Sequence, residues 1–255
     1  MLKKRIIPIQ LLINNRLVKT IEFGKYRDVG NPVSSSKIYN DSDADELIFL
    51  NIDRDKRSIE PLLSLVKKVS EVCFMPLSLG GGVKTIDDAS KLIQNGADKI
   101  VLNSAIYDDL DLIEKIAYKY GNQAVVASID VRMNKSKNKY DLYSNCGRNN
   151  ELTDLVEYLK LIENQGAGEI LITSIDRDGT MKGYDKDLIK IAVENTTIPI
   201  IGAGGAGTFD HLKEAFLETD VSALACGSLF NFGDNNPIRA KSFLQNYNLN
   251  FKIVK

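Results

Sequence analysis

A chain of 255 residues can fold as two ordinary domains or as one large α/β barrel. A hydrophobic fraction of 44% allows a substantial core, and a net charge of −1 excludes a strongly basic surface of the kind that binds nucleic acid. Three cysteines (Cys73, Cys146, Cys226) make neither a metal cluster nor an even disulfide set, and the single histidine, His211, leaves no Ser-His-Asp triad. Acid–base chemistry must then fall to carboxylates, lysines or tyrosines.

In chain order, the opening "MLKKRIIPIQLLI" puts two lysines before an apolar run too short to span a bilayer and without a small-residue cleavage site. It reads as a first strand of a cytoplasmic protein, not as a leader or a membrane anchor. An irregular piece covers 14–31. "LIFLN" then reads as a strand, and "SIEPLLSLVKKVSEVC" has helical spacing. "MPLSL" and "IDDASKLIQNGA" repeat that order, as do "KIVLN" and "DLIEKIAYKYG". "AVVASID" is a fifth strand, a second irregular piece covers 132–150, and "LTDLVEYLKLIENQGA" is again helical. "EILITSID", "IPIIGA" and "SALACG" supply the remaining strands. Eight strands in βα alternation predict a parallel sheet, and eight is the number that closes a barrel. With no low-complexity segment or proline-rich linker, the expected fold is a single (β/α)8 TIM barrel over 1–255. Both irregular pieces follow a strand's C-terminal end, where such a barrel carries its active-site loops. No metal site and no cofactor is expected.

The chain also repeats itself. "ELIFLNIDRD" at 46–55 returns as "EILITSIDRD" at 169–178, with five of ten positions identical. At the same offset, "PLSLGGGVKTIDDASKLI" at 76–93 matches "PIIGAGGAGTFDHLKEAF" at 199–216. Pro76, Gly81, Gly82, Thr85 and Asp87 fall on Pro199, Gly204, Gly205, Thr208 and Asp210. A constant register over separate segments predicts two half-barrels, at about 1–122 and 123–255.

The duplicated glycines follow strands, and glycine lets backbone N–H groups converge on a phosphate. "LNSA" with Asn103 and Ser104, and "CGSL" with Gly227 and Ser228, set small polar groups beside them. One glycine run alone is explained by a tight turn. The duplicated set points to a ligand with two phosphates or phosphate-like ends.

The runs "KRII", "DELIFL", "GGG", "GADKI", "SIDVR", "GAGEILITSIDRDGTMKGYD" and "IPIIGAGGAG" resemble the HisF family, the cyclase subunit of imidazole glycerol phosphate synthase, over essentially the full length. The resemblance implies a barrel with a top-face site for a bisphosphate substrate. It also implies a HisH-type glutaminase on the bottom face, whose ammonia passes through the barrel. One phosphate cradle would use Gly82, Asn103 and Ser104, and the other Asp178, Gly179, Thr180, Gly204, Gly205, Gly227 and Ser228. The family's ring of alternating floor charges has its counterparts in Arg5, Glu46, Lys99 and Glu169, each preceding or opening a strand. As a plain alternative, such charges form a structural salt-bridge plug. Asp98 matches a contact to the glutaminase, and Lys19 a loop lysine associated with closure over substrate.

The catalytic end departs from the family pattern. The family's two acid–base aspartates sit at the ends of strands 1 and 5; Asp130 is the second, and Leu11 stands at the first. Asn51 likewise stands where an aspartate is usual. This combination resembles a HisF paralogue branch that helps convert an acetamido sugar into an acetamidino one in bacterial surface-sugar pathways. That branch implies a phosphorylated or nucleotide-linked small-molecule acceptor and an ATP-dependent sugar amidotransferase as a further partner. An authentic cyclase using another acid, and a non-catalytic scaffold for the glutaminase, are the alternatives.

Overall fold

Runs of β-branched residues and leucine become strands here because both faces of each run are covered, as in any fully enclosed parallel sheet. The computed structural model describes residues 3–54 and 57–252, so Met1 and Leu2 of the opening run and Asp55 of the repeat lie outside the described residues. The strands are β1 (Arg5–Ile13), β2 (Arg16–Thr20), β3 (Tyr26–Gly30), β4 (Leu47–Asn51), β5 (Leu77–Gly80), β6 (Lys99–Leu102), β7 (Val125–Asn134), β8 (Lys139–Ser144), β9 (Asn149–Glu151), β10 (Glu169–Ser174), β11 (Ile200–Ala203) and β12 (Ala223–Cys226). The helices are α1 (Pro32–Asp41), α2 (Glu60–Val69), α3 (Ile86–Gln94), α4 (Ser104–Asp108), α5 (Asp111–Tyr120), α6 (Leu155–Asn164), α7 (Lys186–Glu194), α8 (Phe209–Thr219), α9 (Ser228–Asn231) and α10 (Pro237–Gln245).

Eight strands run parallel in the order β10-β11-β12-β1-β4-β5-β6-β7, and β7 pairs back to β10. The sheet is therefore a closed barrel ringed by helices, a (β/α)8 TIM barrel as the alternation predicts. Two cores follow from strand alternation. Ile7, Ile48, Val126, Leu171 and Ile201 fill the barrel interior. Their neighbours Ile6, Leu47, Val125, Ile170 and Ile200 face outward against the helices. Among the described residues, no helix is long and apolar enough to cross a membrane.

The two irregular pieces are corrected by the structure. Within 14–31, β2 and β3 form an antiparallel hairpin laid on the end of β1, and within 132–150 β8 continues antiparallel from β7 and pairs with β9. The sign of the first was present: Asn14 and Asn15 take φ of 49° and 59°, the paired left-handed residues of a tight hairpin turn. The charged, weakly alternating strands beyond it hid the pattern.

The repeat is visible as matching geometry. Thr85 and Thr208 cap α3 and α8 with nearly equal backbone angles, φ −136° and −139°. Gly81 and Gly204 both lie at φ 92°, where a Cβ would meet the carbonyl oxygens of Asn51 and Ser174 at 2.0 and 2.6 Å. No side chain fits either turn.

Candidate active site

The floor of the barrel is built from first-strand positions. Arg5 opens β1, Glu46 precedes β4, Lys99 opens β6 and Glu169 opens β10, so all four side chains gather at the N-terminal rim. Arg5 Nη1 stands 3.1 Å from Glu46 Oε2 and 2.9 Å from Glu169 Oε1. Lys99 Nζ stands 2.7 Å from Glu46 Oε2 and 3.1 Å from Glu169 Oε2. Each cation bridges both carboxylates, and the ring closes. The Ser78 hydroxyl donates to Glu46 Oε1 at 2.5 Å, completing the coordination of a carboxylate whose side chain is 2% exposed.

Asp98, beside Lys99, is exposed, yet it is not only a surface charge. Its Oδ2 accepts the Leu77 backbone N–H at 2.8 Å. Asp45, beside Glu46, does the same for Ile6 N–H at 2.9 Å and also holds the buried Lys241 at 2.6 Å. The acids next to the ring thus fix the strands that carry it.

At the opposite end, the mouth opens on a cavity of 1190 Å³. Its floor is apolar on the β1–β4 side, where Ile9, Leu11, Ile13, Leu50 and Ile52 line it. Leu11 and Asp130 both project inward: Leu12 joins the outer core, as do Ile129 and Val131 on either side of Asp130. Asn103 donates one amide N–H pair to the Ser128 carbonyl at 3.0 Å and to Asp130 Oδ2 at 3.2 Å, holding that carboxyl in place. Asp130 is half-buried, and the desolvation and the nearby Asp178 charge push its carboxyl up to about 7. An acid raised on folding binds its proton more tightly in the native state, so its contribution to stability is fully present below the ordinary aspartate range and is lost as pH rises through about 7. We expect the stability of the wild type relative to Asp130→Asn to fall between about pH 4 and pH 8 in urea melts. A difference independent of pH would contradict the raised carboxyl.

The second half of the mouth is more polar. Lys19 is not on a loose loop; it lies in β2, 7% exposed, with Nζ 2.5 Å from Asp178 Oδ1. The Thr20 hydroxyl donates to Asp178 Oδ2 at 2.6 Å, so the Asp178 side chain is committed to the β2 strand. The Lys19 stem crosses to Gly227, whose added Cβ would meet its Cε at 3.2 Å. Gly179, Gly204, Gly205, Gly227 and Ser228 line the cavity with Lys19. The Ser228 hydroxyl is buried without a hydrogen-bond partner among the described residues. Thr180 does not line the cavity; its hydroxyl donates to the Arg177 carbonyl at 2.9 Å.

In the first half, Gly82, Asn103 and Ser104 meet at the cavity wall. Ser104 is partly engaged, since its Oγ accepts the Asn145 N–H at 3.0 Å. Asn51 is a loop clasp: its amide donates to the Ser58 carbonyl at 3.1 Å and its oxygen accepts the Asp53 N–H at 3.2 Å. Sequence reasoning missed Phe23, Arg57 and Cys146, which line this cavity from three segments far apart in the chain, and Asn145, which accepts from Arg57.

Residues 5–236 match the family model described as "Histidine biosynthesis protein". A curated relative, the imidazole glycerol phosphate synthase subunit HisF of a Hydrogenobaculum species, is 40% identical over 253 residues, covering 99% of this chain and 100% of that protein. The chain belongs to the HisF family. The HisF subunit of Trichormus variabilis is 37% identical over 247 residues, covering 96% of each chain. This member of the HisF family has a closed barrel, a ring of four charged side chains at the floor and two matching glycine turns, and it carries leucine at position 11.

Proposed function

We propose that the chain is the synthase subunit of a glutamine-dependent amidotransferase complex, taking ammonia from a HisH-type glutaminase at the floor. Arg5, Glu46, Lys99 and Glu169 are the gate, with Asp98 at the partner interface. The acceptor is a phosphorylated or nucleotide-linked small molecule bound at the mouth. Phosphate-like ends sit on Gly82, Asn103 and Ser104 and, opposite, on Gly179, Gly204, Gly205, Gly227 and Ser228 with Lys19.

The observation that carries the choice of chemistry is Leu11. It faces the mouth where a two-carboxylate cyclisation needs an acid, and its neighbours Ile9, Ile13 and Leu50 are apolar. Chemistry with one carboxylate suits an acceptor activated elsewhere and attacked by ammonia. Formation of an acetamidino group from an acetamido sugar, with a separate ATP-dependent amidotransferase activating the acceptor, meets that condition. A second reading, the histidine-pathway cyclase itself, is favoured by the 40% identity to a HisF subunit over essentially both lengths.

The test is reconstitution with the cognate glutaminase and the activating enzyme, with glutamine as nitrogen donor, followed by mass spectrometry for the amidine. Amidine formation that depends on this chain is expected. Asp98→Asn keeps an acceptor for the Leu77 N–H while removing the charge, so it should slow association with the glutaminase and flatten its salt dependence without unfolding the barrel. Full amidine yield without this chain would remove the proposal.

A further inference from the structure

The segment between β4 and α2 carries Arg54 and Arg57, and both reach across the mouth to other segments. Arg54 Nη2 donates to the Phe23 carbonyl at 2.6 Å, tying the segment to the β2–β3 hairpin. Arg57 Nη2 donates to Asn145 Oδ1 and lies 3.8 Å from Cys146 Sγ, tying it to the turn between β8 and β9. The two hairpins meet in turn: a Cβ on Gly147 would stand 3.2 Å from the Phe23 ring. A canopy of three segments therefore covers one side of the mouth.

Arg57 is half-buried in that canopy, and among the described residues no carboxylate lies within ion-pair distance of it. Both its contacts use the same terminal nitrogen, and both acceptors are uncharged. A partly buried guanidinium that meets only uncharged acceptors among the described residues is costly unless an anion neutralises it. Its position says what that is. The next residue, Ser58, is packed on the first glycine turn, where a Cβ on Gly82 would meet the Ser58 carbonyl oxygen at 2.6 Å. Its partner Asn145 donates its backbone N–H to Ser104 Oγ. Arg57 is thus linked through one residue on each side to Gly82 and to Ser104. Lys84, just past the same glycines, lines the same cavity and likewise has no carboxylate partner among the described residues. Burial holds the Cys146 thiol above its ordinary range, and the charges of Arg57 and Arg54 act against that shift, so both cations are felt at this turn.

We propose that Arg57 is a specificity-determining residue that closes over the Gly82–Asn103–Ser104 cradle and pairs its guanidinium with a phosphate group of the acceptor. This rests on the reading of those three residues as an anion site. A planar fork with donors to spare suits a phosphate held from below by backbone and side-chain donors. Because Asn145 and Cys146 belong to the β8–β9 turn, a ligand that draws Arg57 inward also settles that turn.

The test is calorimetric titration of the full chain with inorganic phosphate, and in parallel with acetate, at low ionic strength. Wild type, Arg57→Met, Arg57→Lys and Asn145→Ala are compared after circular dichroism has shown equal folding. Arg57→Met is expected to weaken phosphate binding about tenfold, the loss of one charge-assisted contact. Arg57→Lys should be intermediate, Asn145→Ala close to wild type, and acetate nearly indifferent to all three. Equal phosphate affinity in wild type and Arg57→Met would overturn the role of Arg57 and leave the cradle standing. An equal loss in Asn145→Ala and Arg57→Met would show that Arg57 only ties down the turn, and an equal loss for acetate would show an unselective cation; either overturns the proposal. Absence of phosphate binding to the wild type would remove the cradle and Arg57 together.

Discussion

Leu11→Asp is expected to raise imidazole glycerol phosphate formation by about 10²–10⁴-fold over the unmodified chain, the usual contribution of one positioned general acid or base. The position is ready to receive it. Leu11 pairs with Leu50 across β1 and β4, projects into the mouth and is 9% exposed. Asp130 faces the same cavity, held by Asn103, so the substitution restores two carboxyl groups on one interior surface. The new carboxylate would stand on a cavity wall shared with Ile9 and Leu50 and so cost stability, which a urea melt measures separately from turnover. Asn51→Asp is not a helpful companion: the amide that donates to Ser58 would be lost and the segment carrying Arg57 released. If Leu11→Asp leaves the rate unchanged while folding normally, the missing acid is not what limits cyclisation.

Breaking the floor ring is expected to have the largest effect on stability. Glu46 is contacted by Arg5, Lys99 and Ser78 and is almost wholly buried, so Glu46→Ala leaves two cations sharing Glu169 and a hydroxyl without its acceptor. Removing one member of a buried ion-pair network costs about 3–5 kcal/mol. For a chain of this length that lowers Tm by roughly 10 °C. If the ring also gates ammonia, the variant should lose glutamine-dependent synthesis at temperatures where it is folded, while synthesis from added ammonia survives. Equal loss with both nitrogen sources would assign the ring to the barrel's stability alone.

Much of this was readable from the sequence, for identifiable reasons. The strands were legible because enclosed parallel strands show unbroken apolar runs, and the helices because one apolar stripe recurs at helical spacing, as in α2 with Leu62, Leu65, Val66 and Val69 buried. The floor ring was legible through the resemblance to the HisF family, and strand order agrees with it, since each of the four charges precedes or opens a strand and so falls at one rim. The glycine turns were legible because they are duplicated. What stayed hidden depended on contacts between distant segments. The partnership of Lys19 with Asp178, and that of Arg57 with Asn145, join residues from different βα units that meet only over the mouth. The double role of Asp98 was hidden for a related reason, since a residue type does not say which backbone N–H it will accept. The hairpins were obscured by charged residues such as Arg16, Arg27 and Asp28, although Arg16 and Asp28 pair across β2 and β3 at 2.8 Å.

The most direct test of the central claim is the rate of imidazole glycerol phosphate formation by the unmodified chain with its glutaminase, glutamine and the histidine-pathway substrate, measured beside the Hydrogenobaculum HisF subunit under the same conditions. With Leu11 in place of the first of the two acids, no product above background is predicted, while glutamine is still hydrolysed by the partner. A rate comparable to that of the Hydrogenobaculum subunit would contradict the account and make this chain an ordinary cyclase.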